Sequence, residues 1–109
     1  MQFDKFEAFM MATFVGNVPQ KKPSGMYMAV RIYSKLGFSD QELVEHDRQP
    51  LLELRQLFLK EEPVEIELDA EEAKFVAKTM VENANFGAKV LQWLIPLWER
   101  LYPKWEEFE

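Results

Sequence analysis

Only one segment of this chain, Pro63-Val64-Glu65-Ile66-Glu67-Leu68, alternates apolar and acidic residues with the period-two signature of a strand. Elsewhere the apolar residues recur at three- and four-residue spacing, the period of a helix. A lone strand is a severe constraint, because its N–H and C=O groups need a ladder partner. No second segment alternates as cleanly, Phe14-Val15-Gly16-Asn17-Val18 being the nearest substitute. Two solutions stay open. The segment at about 64–68 pairs with its own copy across a two-fold axis, giving a homodimer, or it lies on the chain's own helices with water along its outer edge. In the dimer Glu65 and Glu67 approach their symmetry mates, so the register or a base such as Lys60 has to offset the repulsion. The expected fold class is all-α: five to six short helices in a compact bundle with one short β-strand.

The helices follow from spacing and punctuation. Phe3, Phe6, Met10 and Phe14 share a stripe that predicts a first helix to about Val15, stopped by Gly16. Residues 16–25 hold two Pro and two Gly and predict the longest loop. Ser24 is then the expected N-cap of a helix from Gly25 to Leu36, with Met26, Ala29, Val30, Tyr33 and Leu36 inward, Tyr27, Arg31, Ser34 and Lys35 on the opposite face, and Gly37 as the stop. Ser39 and Glu42 have capping-box spacing and open a helix near 40–47. Pro50 suits the first turn of another, near 50–61, whose Leu51, Leu52, Leu54, Leu57, Phe58 and Leu59 leave so narrow a polar face that burial on most sides is expected. Asp69 with Glu72 opens a helix whose inward stripe is Ala73, Val76, Ala77, Met80, Val81 and Ala84. The last helix runs from about Gly87 to Tyr102, with Pro96 removing the hydrogen bond to the carbonyl of Gln92. Residues 1–103 thus read as a single helical domain and 104–109 as a fraying tail, unless Trp105 and Phe108 pin it.

Composition decides which functions such a domain can serve. At 109 residues with 48% hydrophobic content the chain suits one folded domain. Nineteen acidic residues against thirteen basic give a formal net charge of −6, which opposes direct nucleic-acid binding through phosphate neutralisation. The distribution is uneven: residues 1–38 hold Asp4 and Glu7 against five bases, while the other seventeen acids lie after position 38. With no cysteine there are no disulfides, thiolate metal sites or cysteine nucleophiles. The start, Met1-Gln2-Phe3-Asp4-Lys5, has no secretory pattern, and no apolar run approaches the ~18 residues of a bilayer span, so the expected location is cytoplasmic, away from the membrane.

Catalytic patterns are missing. The single histidine, His46, sits in Glu45-His46-Asp47-Arg48 on a polar helix end, a setting of surface solvation rather than of a hydrolytic triad. One His cannot build a carboxylate-bridged dimetal centre, and Gly16, Gly25, Gly37 and Gly87 match no phosphate-loop spacing. No enzyme activity, metal or cofactor is therefore expected. Residues 25–47 have the outline of a helix-turn-helix, but the second helix carries Asp40, Glu42, Glu45 and Asp47, which phosphates would repel.

Three constellations remain. Lys21, Lys22 and Ser24 precede a helix whose N-terminal N–H groups favour an anion, with Arg31 a turn or two along. Trp93 lies off the apolar stripe of the last helix, and Trp105 follows Pro103; such rim aromatics, with Ile66 of the strand, are anchors for a protein contact. Asp40, Glu42, Glu45 and Asp47 concentrate negative charge on one short segment. The function expected first is a non-enzymatic protein-protein interaction module, an adaptor, assembly or regulatory protein whose partner is another protein or a second copy. The alternatives are a small acidic inhibitor that imitates nucleic-acid charge, of the kind found on mobile elements, and a binder of phosphorylated ligands through the Lys21-Lys22 loop.

Overall fold

The computed structural model describes residues 1–109, and the lone strand finds its partner inside the chain. Gln2–Phe3 (β1) pairs antiparallel with Val64–Glu65 (β2), in the register Gln2 to Glu65 and Phe3 to Val64. The Ile66 amide extends the ladder by donating to the Met1 carbonyl. The premise of the two-fold strand pairing, that β2 has no partner of its own, is therefore corrected. A two-residue strand is too short to show alternation, which is why β1 leaves no periodic trace in the sequence.

Six helices follow or flank this pair: α1 (Lys5–Asn17), α2 (Pro23–Leu36), α3 (Asp40–Asp47), α4 (Leu51–Phe58), α5 (Ala70–Asn83) and α6 (Ala88–Leu101). The all-α architecture is as the periodicity predicts, and the one short strand it marks is half of a small antiparallel pair. The Cα radius of gyration is 13.2 Å, matching the ~13 Å that a packed chain of this length requires.

Packing of α1 differs from the single-stripe expectation. Phe6, Ala8, Phe9, Met10, Met11, Ala12, Phe14 and Val15 are all buried, so eight of its thirteen residues belong to the core. The helix packs against α2, α3, α4 and α5, and a helix enclosed on that many sides has no use for a polar face. Asp4 and Glu7 cap its start reciprocally, and the helix runs through Gly16 to Asn17. Gly16 is needed for close approach instead of termination: a Cβ there would lie 2.8 Å from Cε1 of Tyr33, so its absence lets the tyrosine ring rest on the α1 backbone.

Opposite behaviour marks α4, which was expected to be buried on most sides. Only Leu54 and Phe58 are buried, whereas Leu52, Leu57 and Leu59 are exposed. This helix leans on the core chiefly through α1, and one neighbour can cover only one face. The helix also ends at Phe58, short of the expected 61.

The C-terminal residues lie against the body of the molecule, where Trp105 and Phe108 find partners. Trp105–Phe108 form a 3-10 turn that packs on α5, with Trp105 6.3 Å from Trp98, Phe108 stacked at 5.2 Å on Tyr102, and the Tyr102 hydroxyl donating to Glu107 at 2.8 Å. Aromatic burial outweighs the chain entropy that would melt a six-residue tail. Residues 104–109 are thus part of the packed body.

Candidate functional site

The start of α2 decides what its two faces do. Ser24 is not the N-cap; Lys22 holds that position and Pro23 occupies the first helical turn, where its missing N–H costs nothing. From there the helix has two apolar stripes a partial turn apart. Met28, Ile32 and Leu36, spaced by four, face the core, and Ile32 is fully buried. Met26, Ala29, Val30 and Tyr33, expected to face inward, line an open cleft of about 540 Å³; Ala29 and Tyr33 are half-buried against the core at its edge, whereas Met26 and Val30 are exposed.

That cleft lies between α2, α3 and the C-terminal end of α1. Its floor is Val15, Gly16 and Val18, and its far wall is Asp40, Leu43 and Val44 of α3. Val30 is 67% exposed and Val44 60% exposed, high values for branched apolar side chains on regular helices. Asp40 and Tyr33 form its polar end, where the phenol donates to the carboxylate at 2.7 Å. Burial, the hydrogen bond to Asp40 and the negative charges of Asp40 and Glu42 push the tyrosine up to about 12, so the phenol stays protonated and keeps donating. Thr13, Asn17, Leu43, Val44 and Asp47 line a smaller recess of about 80 Å³ that continues the cleft along α3.

The four carboxylates of α3 do not act as one patch. Asp40 and Asp47, seven residues apart, share the helix face that carries Leu43 and Val44. Glu42 is held in the capping box, accepting from the Ser39 amide, and Glu45 accepts from Gln41 on the outer face. His46 turns inward rather than into water. Its ring meets Phe9 at 5.8 Å and Phe58 at 5.1 Å, edge to face, and its Nδ1 is buried without a hydrogen-bond partner.

The anion constellation is only partly assembled. Lys21, Lys22 and Ser24 line a polar cleft of about 650 Å³ together with Lys78, Thr79 and Asn83 of α5. Arg31 is elsewhere, donating through Nε to Glu72 at 3.0 Å and lying 3.8 Å from Asp69. Lys35 donates to the other Glu72 oxygen at 2.7 Å, and the Asp69 amide donates to that same oxygen. Glu72, marked in the sequence only as a capping residue, is fully buried at the α2–α5 contact. Burial alone would raise its carboxyl, but hydrogen bonds from Lys35, the Asp69 amide and Arg31, with the charge of Lys35, hold it down at about 2. No local signal separates such a residue from an ordinary capping glutamate, because its partners lie 37 and 41 positions away.

Of the interface anchors read from the sequence, Ile66 is in the core and Trp93 and Trp105 are half-buried. Trp93 packs edge to face on Phe6 at 5.9 Å while the Arg55 guanidinium covers its ring at 4.6 Å. Trp105 closes on Trp98 as described above. Each tryptophan falls beside a neighbouring element that sequence spacing cannot reveal, which leaves both rings half-buried. The cleft stripe was legible as an apolar stripe, and the spacing of Met28, Ile32 and Leu36 was the signal that a second stripe competes for the core.

No helix of the chain is long and apolar enough to cross a membrane, and no group of three or more His, Cys, Asp or Glu side chains is placed to hold a metal ion. Comparison with models of protein families, with curated proteins and with solved structures finds no match, so the site is read from its own geometry.

Proposed function

We propose that this all-α domain is a protein-protein interaction module that receives a helix of its partner in the cleft between α2 and α3. The observation that carries it is the placement of Met26 and Val30: exposed apolar side chains that, with the half-buried Ala29 and Tyr33 at the edge of the core, form a regular helix stripe lining an open cleft. Leaving branched apolar side chains in water forgoes roughly 1.5–3 kcal/mol for each one that could be buried, and a groove lined by i, i+3, i+4 and i+7 positions is the shape that accepts an amphipathic helix. Photo-crosslinking tests it. A benzoylphenylalanine at position 30 is expected to capture a protein from the native lysate, the same residue at Glu99 of α6 is not, and Val44→Glu is expected to abolish the adduct. No adduct at position 30, or equal adducts at both positions, overturns the reading.

A second reading, binding of a phosphorylated ligand, gains from one observation: α5 brings Lys78 into the cleft of Lys21 and Lys22, although Lys78 also lies 3.9 Å from Glu82. Titration with inorganic phosphate is then expected to shift the amide signals of Ser24 to Met26, with half-saturation weakening as salt rises. If Lys21→Ala with Lys22→Ala leaves the shifts unchanged, the loop is only solvated.

A further inference from the structure

The acid placement specifies the partner further. We infer that the helix received by the cleft is basic, carrying two Lys or Arg residues seven positions apart beside its apolar stripe; this rests on the docking role proposed above and deepens it. Asp40 and Asp47 are the charged residues that line the cleft and its continuation. No cation of the chain lies within ion-pairing distance of either carboxylate, since the internal ion pairs employ Glu7, Glu65, Asp69, Glu72 and Glu82. Asp40 spends one oxygen on the Tyr33 hydroxyl and keeps the other for an incoming donor. Lys21 and Lys22 line the neighbouring polar cleft, not this one, and Arg31 and Lys35 are turned toward Glu72.

Geometry sets the spacing. Seven residues at a rise of about 1.5 Å place Asp40 and Asp47 about 10 Å apart along α3, with Leu43 and Val44 between them. A second helix lying alongside presents side chains at the same interval when they too are seven positions apart, and its apolar i+3 and i+4 side chains then meet Leu43, Val44, Val30 and Met26. A partner with acids at those positions would set like charges together while desolvating both, so the two aspartates also reject wrong partners.

The test uses the full chain and three designed helical peptides with one common apolar stripe. The first has Lys at two flanking positions seven apart, the second has Glu at both, and the third has the Lys pair four apart. Binding is read by fluorescence anisotropy, and placement by the amide shifts of Val30 and Val44. The first peptide is expected to bind about tenfold tighter than the second at low salt, with the third in between. Raising salt until the Debye length falls from about 30 Å to about 8 Å is expected to shrink that ratio several-fold. Asp40→Asn with Asp47→Asn, whose fold is verified by circular dichroism, is expected to bring all three peptides to one affinity.

Equal binding of the three peptides to the wild-type cleft overturns the charge inference and leaves the docking role standing. Absence of any shift at Val30 and Val44 overturns both. A dimer at micromolar concentration whose contact covers Val30 and Val44 overturns the proposal in favour of a second copy as occupant.

Discussion

Glu72→Gln is expected to lower the midpoint of thermal unfolding by about 10–15 °C, corresponding to on the order of 2–3 kcal/mol for a domain of this size. The substitution keeps the shape of the side chain and an oxygen for the Asp69 amide and Lys35, while its NH2 replaces the oxygen that accepts from Arg31, so the buried charge and that one hydrogen bond are lost together. Breaking a fully buried pair by deleting one partner costs roughly 3–5 kcal/mol, mostly through the charge left stranded. Here the loss is smaller, because Arg31 and Lys35 are 52% and 37% exposed at their side chains and can turn to water once Glu72 is neutral. The effect has a sign in pH. A carboxyl held at about 2 against an ordinary 4.5 contributes stability that is complete above pH 5 and is lost as pH falls from about 4.5 toward 2. The stability difference between wild type and Glu72→Gln should therefore be constant from pH 5 to 7 and shrink to near zero at pH 2. Denaturant unfolding at stepped pH checks it, and a difference that does not change with pH would show the carboxylate's charge to be irrelevant to stability.

Phe9→Ala is expected to be costlier still, about 3–5 kcal/mol, against a total that for most small domains is only about 5–15 kcal/mol. Phe9 is buried where four rings meet: its centroid is 5.3 Å from Phe58 and 5.8 Å from both Phe38 and His46. These rings come from α1, the α2–α3 corner, α3 and α4, so their relaxation into the void is opposed by four separate backbones. Removing the ring also opens a void beside the unpartnered Nδ1 of His46. Urea titration should show a large fall in midpoint with little change in slope. Val44→Ala, on the exposed wall of the cleft, should change stability by less than about 0.5 kcal/mol in the same assay. A comparable loss at both positions would mean that the cleft wall is part of the core and would weaken the docking role with it.

These two sites differ in how far they can be read from the chain alone. Short-range signals carry over directly. The pairs Ser39/Glu42 and Asp69/Glu72 mark helix starts because each bond closes over three residues, and α3 and α5 begin where they say. Asp4 and Glu7 form the same box and show that α1 begins at Lys5, leaving Phe3 free to join β1. Gly37, with φ of 78°, ends α2 where its position after the last apolar residue predicts. Helix number, the all-α class and most helix ends are local properties, and the sequence determines them.

What faces what is a different kind of fact. The stripe Met26, Ala29, Val30 and Tyr33 is as regular as any core stripe, yet α2 has a second one, whose Ile32 and Leu36 are buried while Met26 and Val30 stay exposed. The leucine-rich α4 is largely exposed, while α1 is enclosed, because apolar content states how much surface a helix could bury and its neighbours decide how much it does. Val64, Glu65 and Ile66 gain ladder partners from Phe3, Gln2 and Met1 respectively, more than sixty positions away. Arg31 and Lys35 turn a capping glutamate into a buried ionic centre over spans of 41 and 37 positions, Arg31 facing away from the lysine loop. Local hydrogen bonding and steric preference act over three or four residues and are written in the sequence, whereas burial is a competition among faces that is settled only when all the helices pack at once.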